Sequence, residues 1–167
     1  MRLSFLKFQI LTKVETMIWK NASYQIDTDP ENLNVDVIYG FLSTSYWSKD
    51  IPRSVVEKSI RHSLCFGIYE KGIQIGFARV ISDYATFAYL ADVFVLDSHR
   101  GKGLSKWLMT CIQSHPELQN LRRWMLATRD AHGLYEQFGF NVTEKPDRLM
   151  EIVDMDIYSK KANDVQK

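Results

Sequence analysis

The spacing of apolar residues divides the first part of the chain into one short strand and two helices. Residues 24–26 have strand character and end in a turn-forming Asp-Thr-Asp-Pro run. A helix is predicted from residue 35 to residue 45, because apolar side chains recur there at helical spacing. Pro52 opens a second helix, since proline suits the first turn of a helix.

The next stretch changes to the alternating pattern of strands. Residues 64–69, 73–81 and 87–95 are rich in strand-forming residues, and turn-forming residues separate them at 70–72 and 83–86. Short turns between neighbouring strands are typical of antiparallel hairpins. We therefore expect a three-stranded meander.

A helix, a strand, a second helix and a final strand are predicted in the last third of the chain. The first helix is the most regular, with apolar residues at i, i+3, i+4, i+7 and i+8: Leu104, Trp107, Leu108, Cys111 and Ile112. A short buried strand follows at 124–128, and a short helix at 131–138 ends at Gly139. Residues 150–158 form the final predicted strand.

This order of elements predicts a mixed α/β fold in which helices flank a central sheet. A length of 167 residues suits one domain with its own core. We assign residues 21–160 to that domain, residues 1–20 to an N-terminal extension and residues 161–167 to a polar C-terminal tail.

Composition and charge exclude several classes of function. A formal net charge of +1 gives no basic surface of the kind that nucleic acids bind. No apolar run approaches the roughly 20 residues that a membrane helix needs. The two cysteines lack metal-ligand spacing and lie in apolar stretches, which indicates buried free thiols and fits the reducing cytoplasm. The sequence therefore predicts a cytoplasmic protein with no metal, nucleic-acid or membrane partner.

Residues 93–105 carry the most informative chemistry. A strand leads into a loop with two glycines and then into the amphipathic helix, so free amides at the helix start can bind an anion such as a pyrophosphate. Gly101 and Gly103 let the backbone approach a ligand closely, and Arg100 and Lys102 add positive charge. Neither a P-loop nor a dinucleotide-binding fingerprint has this spacing.

Two motifs in this region resemble those of the GNAT family of N-acetyltransferases. Arg100-x-x-Gly103-x-Ser105 is similar to the family's acetyl-CoA motif Gln/Arg-x-x-Gly-x-Gly/Ala, and residues 131–140 are similar to its Ala-x-x-Leu-Tyr-x-x-x-Gly-Phe segment. The resemblance implies a GNAT-like acyl-CoA N-acyltransferase fold with a mostly antiparallel sheet, and acetyl-CoA as the cofactor. The chain departs from the family pattern at Ser105, where the family has glycine or alanine, and at Thr128, where it often has asparagine.

The resemblance also implies which residues bind the cofactor. In the family, the backbone of the strand at 93–95 holds the pantetheine arm, and the loop that follows holds the pyrophosphate. On this basis the cofactor site consists of Val93, Phe94, Val95, Arg100, Gly101, Lys102, Gly103, Leu104, Ser105, Thr128 and Ala131.

Acetyl transfer needs a proton donor for the leaving thiolate, and the family pattern implies Tyr135 for this role. The alternative is that Tyr135 only packs its ring against its surroundings. A backbone amide near Phe94 or Val95 is implied as the donor to the developing oxyanion.

The general base is less well defined. Asp92 is one candidate, because an aspartate in an apolar strand is costly unless it is paired or used. An ion pair with Arg79 is the equal alternative. Proton removal through water, and a role for His132, are left open. Strand alternation predicts that Asp92 lies on the face opposite to Tyr89, Ala91, Val93 and Val95.

Tyr46, Trp47 and Tyr84 are candidates to line the acceptor site, with ordinary hydrophobic packing as the alternative. The reaction implied by the resemblance is transfer of an acetyl group from acetyl-CoA to a primary amine of a small molecule, by direct attack in a ternary complex. The alternatives are a catalytically silent acyl-CoA-binding sensor or scaffold, and an acetyltransferase for protein lysines or N-termini. Assembly as a homodimer is also left open.

Overall fold

The centre of the protein is a six-stranded sheet whose strands are arranged in chain order. A computed structural model describes residues 15–154 and 156–159. Within them the strands are β1 (Ile18–Asn21), β2 (Tyr24–Asp27), β3 (Leu64–Glu70), β4 (Ile73–Ser82), β5 (Phe87–Val95) and β6 (Arg123–Met125). Neighbours pair antiparallel from β1 to β5, and β6 pairs parallel to β5. The predicted mixed α/β fold with a mostly antiparallel sheet is confirmed.

The helices that flank the sheet are α1 (Val35–Leu42), α2 (Arg53–Arg61), α3 (Leu104–Ser114) and α4 (His132–Tyr135). Local sequence explains where two of them begin. The Asn34 side chain caps α1, because it accepts hydrogen bonds from the amides of Asp36 and Val37 at 3.0 and 3.2 Å. Pro52 stands directly before α2 with a φ of −65°. Among the described residues, no helix is both long enough and apolar enough to cross a membrane.

Helices cover both faces of the sheet and form two hydrophobic clusters with it. On one face α3 buries Leu108, Met109 and Ile112 completely, and on the other face α1 and α2 bury Ile38 and Val56 completely. Full burial of one such side chain contributes about 1.5–3 kcal/mol. The apolar stripe of each helix therefore determines how that helix lies on the sheet.

The sheet begins earlier in the chain than the sequence indicates. Three of the four residues of β1 lie inside the predicted extension 1–20, yet the strand pairs with β2 along its whole length. The Trp19 ring packs on Phe66 with the ring centroids 6.0 Å apart, which ties this strand to the core. Residues 1–14 of the predicted extension and the predicted tail 161–167 lie outside the described residues.

The predicted final strand at 150–158 is wrong. The described part of this segment contains no strand, and the Ile152 side chain is fully exposed. A local turn competes with strand pairing here, because the Asp156 amide donates to the Asp154 side chain at 3.1 Å. β6 also has only three residues, so it offers few backbone partners to a further strand. The chain instead brings Tyr158 against the hydrophobic cluster beside α1 and α2.

Candidate functional site

A cleft opens where the two parallel strands separate. β5 and β6 pair over three residues each, and the ladder ends after Tyr89 and Met125. The second half of β5 therefore has one edge paired with β4 and one edge free to bind a ligand. The Leu96 amide donates to the Ile75 carbonyl of β4 at 2.8 Å. Strand alternation then points the backbone groups of Val95 the other way, into the cleft.

A bulge in β5 changes which side chains face the cleft. Asp92 and Val93 together oppose a single residue of β4, and Asp92 has a left-handed φ of 54°. Leu90 before the bulge and Val95 after it pack in the same cluster beside α3, although their positions differ by five, which simple alternation would place on opposite faces. The prediction that residues 89, 91, 93 and 95 share one face is therefore wrong, because simple alternation does not hold across a bulge.

The cleft brings together most residues predicted for the cofactor and two of those predicted for the acceptor. Its volume is about 580 Å³, and β5, α3 and α4 contribute to its walls. The predicted residues that line it are Tyr46, Trp47, Val93, Phe94, Val95, Arg100, Gly101, Gly103, Leu104, Ser105, Ala131 and Tyr135. The predicted residues that do not line it are Tyr84, Asp92, Lys102 and Thr128.

The start of α3 gives one end of this cleft a geometry that suits an anion. Gly101 and Gly103 have φ values of 77° and 76°, which glycine adopts without strain. Gly103 is the residue that precedes the helix and supplies no side-chain acceptor to its first amides. A Cβ atom added at either glycine would meet no atom within 4 Å, so there is open space beside the loop. The free amides and the helix dipole together suit a pyrophosphate.

Two side chains hold the loop that precedes α3 through polar contacts. The Arg100 side chain donates to the Val95 carbonyl at 3.2 Å and contacts the Asp97 carboxylate, within the loop, at 3.0 Å. His99 Nε2 lies 3.1 Å from a carboxylate oxygen of Glu70, at the end of β3, and this hydrogen bond lowers the pKa of Glu70. Because the contacts to Val95 and Glu70 reach back to the sheet, the sheet fixes where the loop lies in the cleft.

Tyr135 has the chemistry that a proton donor requires. It lines the cleft with 9% of its surface exposed. Burial, and to a smaller extent the charges of Tyr46 and Asp130, raise the pKa of its phenol to about 12. An edge-on contact with Phe140, at 6.0 Å between ring centroids, orients the ring. The phenol therefore keeps its proton at neutral pH.

The Asp92 carboxylate is bound by two protein side chains. Arg79 forms an ion pair with one oxygen, and the Trp47 indole N–H donates to the other at 3.2 Å. Only 10% of the Asp92 side chain and 18% of the Arg79 side chain are exposed. The ion pair considered above as the alternative to a base is present. With both oxygens engaged, Asp92 is poorly placed to accept a proton from a substrate.

Comparison with known proteins identifies the family. The family model for the acetyltransferase (GNAT) domain matches residues 61–142. A protein of Gibberella zeae described as a candidate acetyltransferase is 34% identical over 141 residues, which cover 70% of this chain and 78% of that protein. The chain belongs to the GNAT family of acetyltransferases. The resemblance of its two motifs to that family is thereby confirmed.

Solved structures agree with membership of the GNAT family. A candidate GNAT acetyltransferase from Xanthomonas campestris pv. campestris is 52% identical with a TM-score of 0.80, and the match covers 81% of this chain and 96% of that one. A candidate acetyltransferase from Clostridium acetobutylicum, solved with acetyl-CoA, has a TM-score of 0.55 and 13% identity over 78% of this chain and 94% of that one. The second similarity shows the fold alone.

The loop between α1 and α2 contributes Tyr46 and Trp47, the two predicted acceptor residues that line the cleft. The rings of Tyr46 and Trp47 meet edge to face with their centroids 4.9 Å apart. The Arg129 guanidinium lies over the Tyr46 ring, 3.8 Å from its centroid, and the Arg129 amide donates to the Tyr46 hydroxyl at 3.3 Å. This contact joins the α1–α2 loop to the segment between β6 and α4, and so connects the two sides of the cleft.

Tyr84 is not brought to the other two predicted acceptor residues. It lies in the turn between β4 and β5, at the end of β5 opposite to the bulge. Burial, together with the nearby Cys65 and Glu117, raises the pKa of its phenol. Both neighbours lie outside the cleft, so the structure gives Tyr84 no part in the acceptor site.

A second cavity, of about 680 Å³, lies beside β6. Thr128 lines this cavity rather than the cleft, and its hydroxyl accepts a hydrogen bond from the Ala131 amide at 3.0 Å. His132 also lines it, and Tyr135 reaches both cavities. The placement of Thr128 and His132 therefore lends no support to a role in cofactor binding or in proton removal.

Sequence reasoning did not find five residues that line the cleft: Phe41, His99, Lys106, Asp130 and Leu134. Phe41 has the closest contact, because its ring stacks on Phe94 with the centroids 3.9 Å apart. In the sequence it is one of several apolar residues of an amphipathic helix, and nothing there separates a cleft residue from a core residue. Lys106 could have been predicted from the sequence, since it belongs to the first turn of the helix whose start is the candidate anion site.

Proposed function

We propose that this protein transfers the acetyl group of acetyl-CoA to a primary amine of a small molecule, by direct attack within a ternary complex. The observation that carries the proposal is that Tyr135 and the open amides at the start of α3 line the same cleft. One end suits the phosphates of coenzyme A, and a buried, neutral proton donor lies in the same space. Aminolysis of a thioester needs both features.

The residues present fit acetyl-CoA. Gly101 and Gly103 leave open space for a pyrophosphate, and Arg100 and Lys106 add positive charge to the same wall. The free edge of β5 offers backbone groups to the amide-rich pantetheine arm. When bound, acetyl-CoA supplies an activated acyl thioester.

Two groups of this chain serve the transfer. Tyr135, whose raised pKa keeps it protonated, donates a proton toward the leaving sulfur. The Val95 amide, which points into the cleft, is better placed than the Phe94 amide to stabilise negative charge on the reacting carbonyl oxygen. Because the Asp92 carboxylate is occupied by other side chains, the proton of the attacking amine leaves through water.

The walls of the acceptor end support a small acceptor rather than a folded protein. Tyr46 and Arg129 connect the two sides of the cleft through a stacked contact and a hydrogen bond. A protein that presents a lysine or its N-terminus has to displace this contact, whereas a small amine needs only the space inside the cleft. The structure therefore favours a small molecule over a protein acceptor.

Two measurements test the proposal. Calorimetric titration with acetyl-CoA measures binding, and release of the free coenzyme A thiol in the presence of amines measures transfer. The amines are tested as a panel of polyamines, amino sugars, aromatic amines, amino acids and lysine-containing peptides. Binding with thiol release for a small amine supports the proposal. Binding without release for any amine indicates a silent acyl-CoA-binding module, and absence of binding contradicts the cofactor site.

A further inference from the structure

The backbone at Asp92 is held in a conformation that strands rarely contain. Its φ of 54° lies in the left-handed region, in the part of β5 where Asp92 and Val93 oppose one residue of β4. A residue other than glycine keeps such a conformation only where its surroundings hold it there. The contacts of the Asp92 side chain are the first candidates for that restraint.

The Asp92 carboxylate joins three parts of the molecule. Arg79, on β4, pairs with it and also donates to the Ser63 hydroxyl at 3.3 Å. Trp47, in the loop between α1 and α2, donates to it from the indole N–H at 3.2 Å. Trp47 in turn contacts Tyr46, which lines the acceptor end. One nearly buried carboxylate therefore links the sheet, the bulge and the acceptor loop.

The bulge determines how the second half of β5 faces the cleft. It returns Phe94 to register with β4, where the ring stacks on Phe41 of α1 at 3.9 Å between centroids. Phe41 also contacts Trp47, at 6.1 Å between centroids. The Val95 amide, one residue beyond Phe94, depends on the same register for its direction. A change at the bulge would therefore alter both the direction of the Val95 amide and the ring contacts among Phe41, Trp47 and Phe94.

We propose that Asp92 is a positioning residue that fixes the acceptor loop and the cofactor strand relative to each other. The proposal rests on the acetyltransferase function given above and assigns to Asp92 a role other than that of a base. Its carboxylate stays bonded to Arg79 and Trp47, and no proton passes through it. Its effect on catalysis is transmitted through Trp47 at the acceptor end and through the backbone at Val95.

Three substitutions separate the contribution of the backbone from that of the side chain. Asp92→Asn tolerates the left-handed conformation and keeps an acceptor oxygen for the Trp47 indole, but its amide NH2 cannot accept from the Arg79 guanidinium, so the ion pair is lost. Asp92→Gly keeps only the conformation. Trp47→Phe keeps the ring contacts and removes the indole donor. Loss of a charge-assisted hydrogen bond to Trp47 is expected to raise the KM for the amine by about tenfold in Asp92→Gly and in Trp47→Phe. Asp92→Asn should raise this KM less than Asp92→Gly does and keep kcat within about threefold of the wild type, because the bond to Trp47 survives.

A second measurement needs no acceptor amine. Protein labelled with 5-fluorotryptophan gives one ¹⁹F signal for each tryptophan, and the Trp47 signal is assigned by its loss in Trp47→Phe. We expect that signal to move or broaden in Asp92→Gly and to keep its position in Asp92→Asn. Acetyl-CoA titrations on the same samples should give affinities within about threefold of the wild type, because both variants permit the bulge. These two measurements hold even if no amine is acetylated, so failure of the proposed function and failure of this inference are distinguishable.

Three results would overturn the inference. A fall in kcat of about 10²–10⁴-fold in Asp92→Asn, with the Trp47 signal in place, would identify Asp92 as a base. An unmoved Trp47 signal in Asp92→Gly, with an unchanged KM for the amine, would show that the carboxylate positions nothing. A lower Tm in Asp92→Gly with KM and kcat unchanged would reduce the network to a purely structural role.

Discussion

The two ends of the cleft are built from different parts of the chain. The proposed phosphate end consists of residues that are neighbours in the chain, Arg100, Gly101 and 103–105, and backbone amides are its proposed binding groups. The proposed acceptor end depends on side chains from distant segments, such as Tyr46, which lines the cleft, and Arg129, which covers the Tyr46 ring and is 83 positions away. A site of backbone amides needs only a strand, a glycine loop and a helix start, whereas a site of side chains needs the whole fold to assemble it.

This difference determines what each end tolerates. At the phosphate end the size and charge of a side chain matter because the space beside the loop must stay open. At the acceptor end the identity of each ring and donor matters, because the side chains are the walls. Substitutions at the two ends should therefore change different quantities, namely the affinity for acetyl-CoA and the kinetic constants for the amine.

The largest effect is expected from Gly103→Glu, which places a bulky carboxylate in the open space beside the loop. Repulsion of the phosphates should lower the affinity for acetyl-CoA by about a hundredfold or more. Gly103→Ala measures the strain that any side chain meets at a φ of 76°. Gly139→Glu places the same carboxylate at another left-handed glycine, outside the cleft. Wild-type affinity in Gly103→Glu by calorimetry would show that the phosphates bind elsewhere.

The next largest effect is expected from Tyr135→Phe, which keeps the ring and removes the proton donor. General acid catalysis contributes about 10²–10⁴-fold, so kcat should fall by about a hundredfold. The affinity for acetyl-CoA should change little, because the proton is transferred only in the transition state. Tyr84→Phe serves as the matched control, since Tyr84 lies outside the cleft. Unchanged kcat in Tyr135→Phe, with chemistry shown to be rate-limiting, would remove Tyr135 from the mechanism.

A smaller effect is expected from Arg129→Ala, which removes the guanidinium from the Tyr46 ring. A cation–π contact is worth about 0.5–2 kcal/mol, so the KM for the amine should change by about two- to thirtyfold while the affinity for acetyl-CoA stays the same. Arg148→Ala, an exposed arginine beside the second cavity, is the control. An altered acetyl-CoA affinity in Arg129→Ala would mean that substitutions at the acceptor end also change cofactor binding, which contradicts the division into two independent ends.

The smallest effect is expected from pH. Because burial raises the pKa of Tyr135 to about 12, its phenol stays protonated throughout the range from about pH 7 to pH 10. The pH profile of kcat in this range should therefore have the same shape in the wild type and in Tyr135→Phe, although the values differ. An alkaline decline below about pH 10 that is present in the wild type and absent from Tyr135→Phe would contradict the raised pKa.

Local sequence was sufficient to predict the bounds of those helices and strands that have a regular pattern of apolar residues. The predicted strands at 64–69, 73–81 and 87–95 match β3, β4 and β5 to within one residue at each end, and α3 begins at Leu104 as predicted. β1 has only four residues, too few for a periodic signal. The segment 150–158 has strand-like composition, but strand formation there depends on a partner edge that the three-residue β6 does not provide.

The candidate site likewise has one part that the sequence predicts and one part that it does not. The glycine loop could be found because its spacing and the helix after it are contiguous in the chain. The bulge at Asp92 could not, because an aspartate with a φ of 54° has no signature in an otherwise regular strand pattern. The partners that fix it, Arg79 and Trp47, become neighbours only once β4, β5 and the α1–α2 loop have assembled. Side-chain networks of this kind depend on tertiary contacts, and the periodicity of apolar residues along the chain does not reveal those contacts.

A crystal structure with acetyl-CoA tests the central claim most directly, because it shows both ends of the cofactor at once. The prediction is that the pyrophosphate oxygens accept hydrogen bonds from backbone amides between Gly101 and Ser105, and that the thioester sulfur lies within hydrogen-bond reach of the Tyr135 hydroxyl. A cofactor bound in the cavity beside β6, or one whose phosphates lie away from the start of α3, would contradict it.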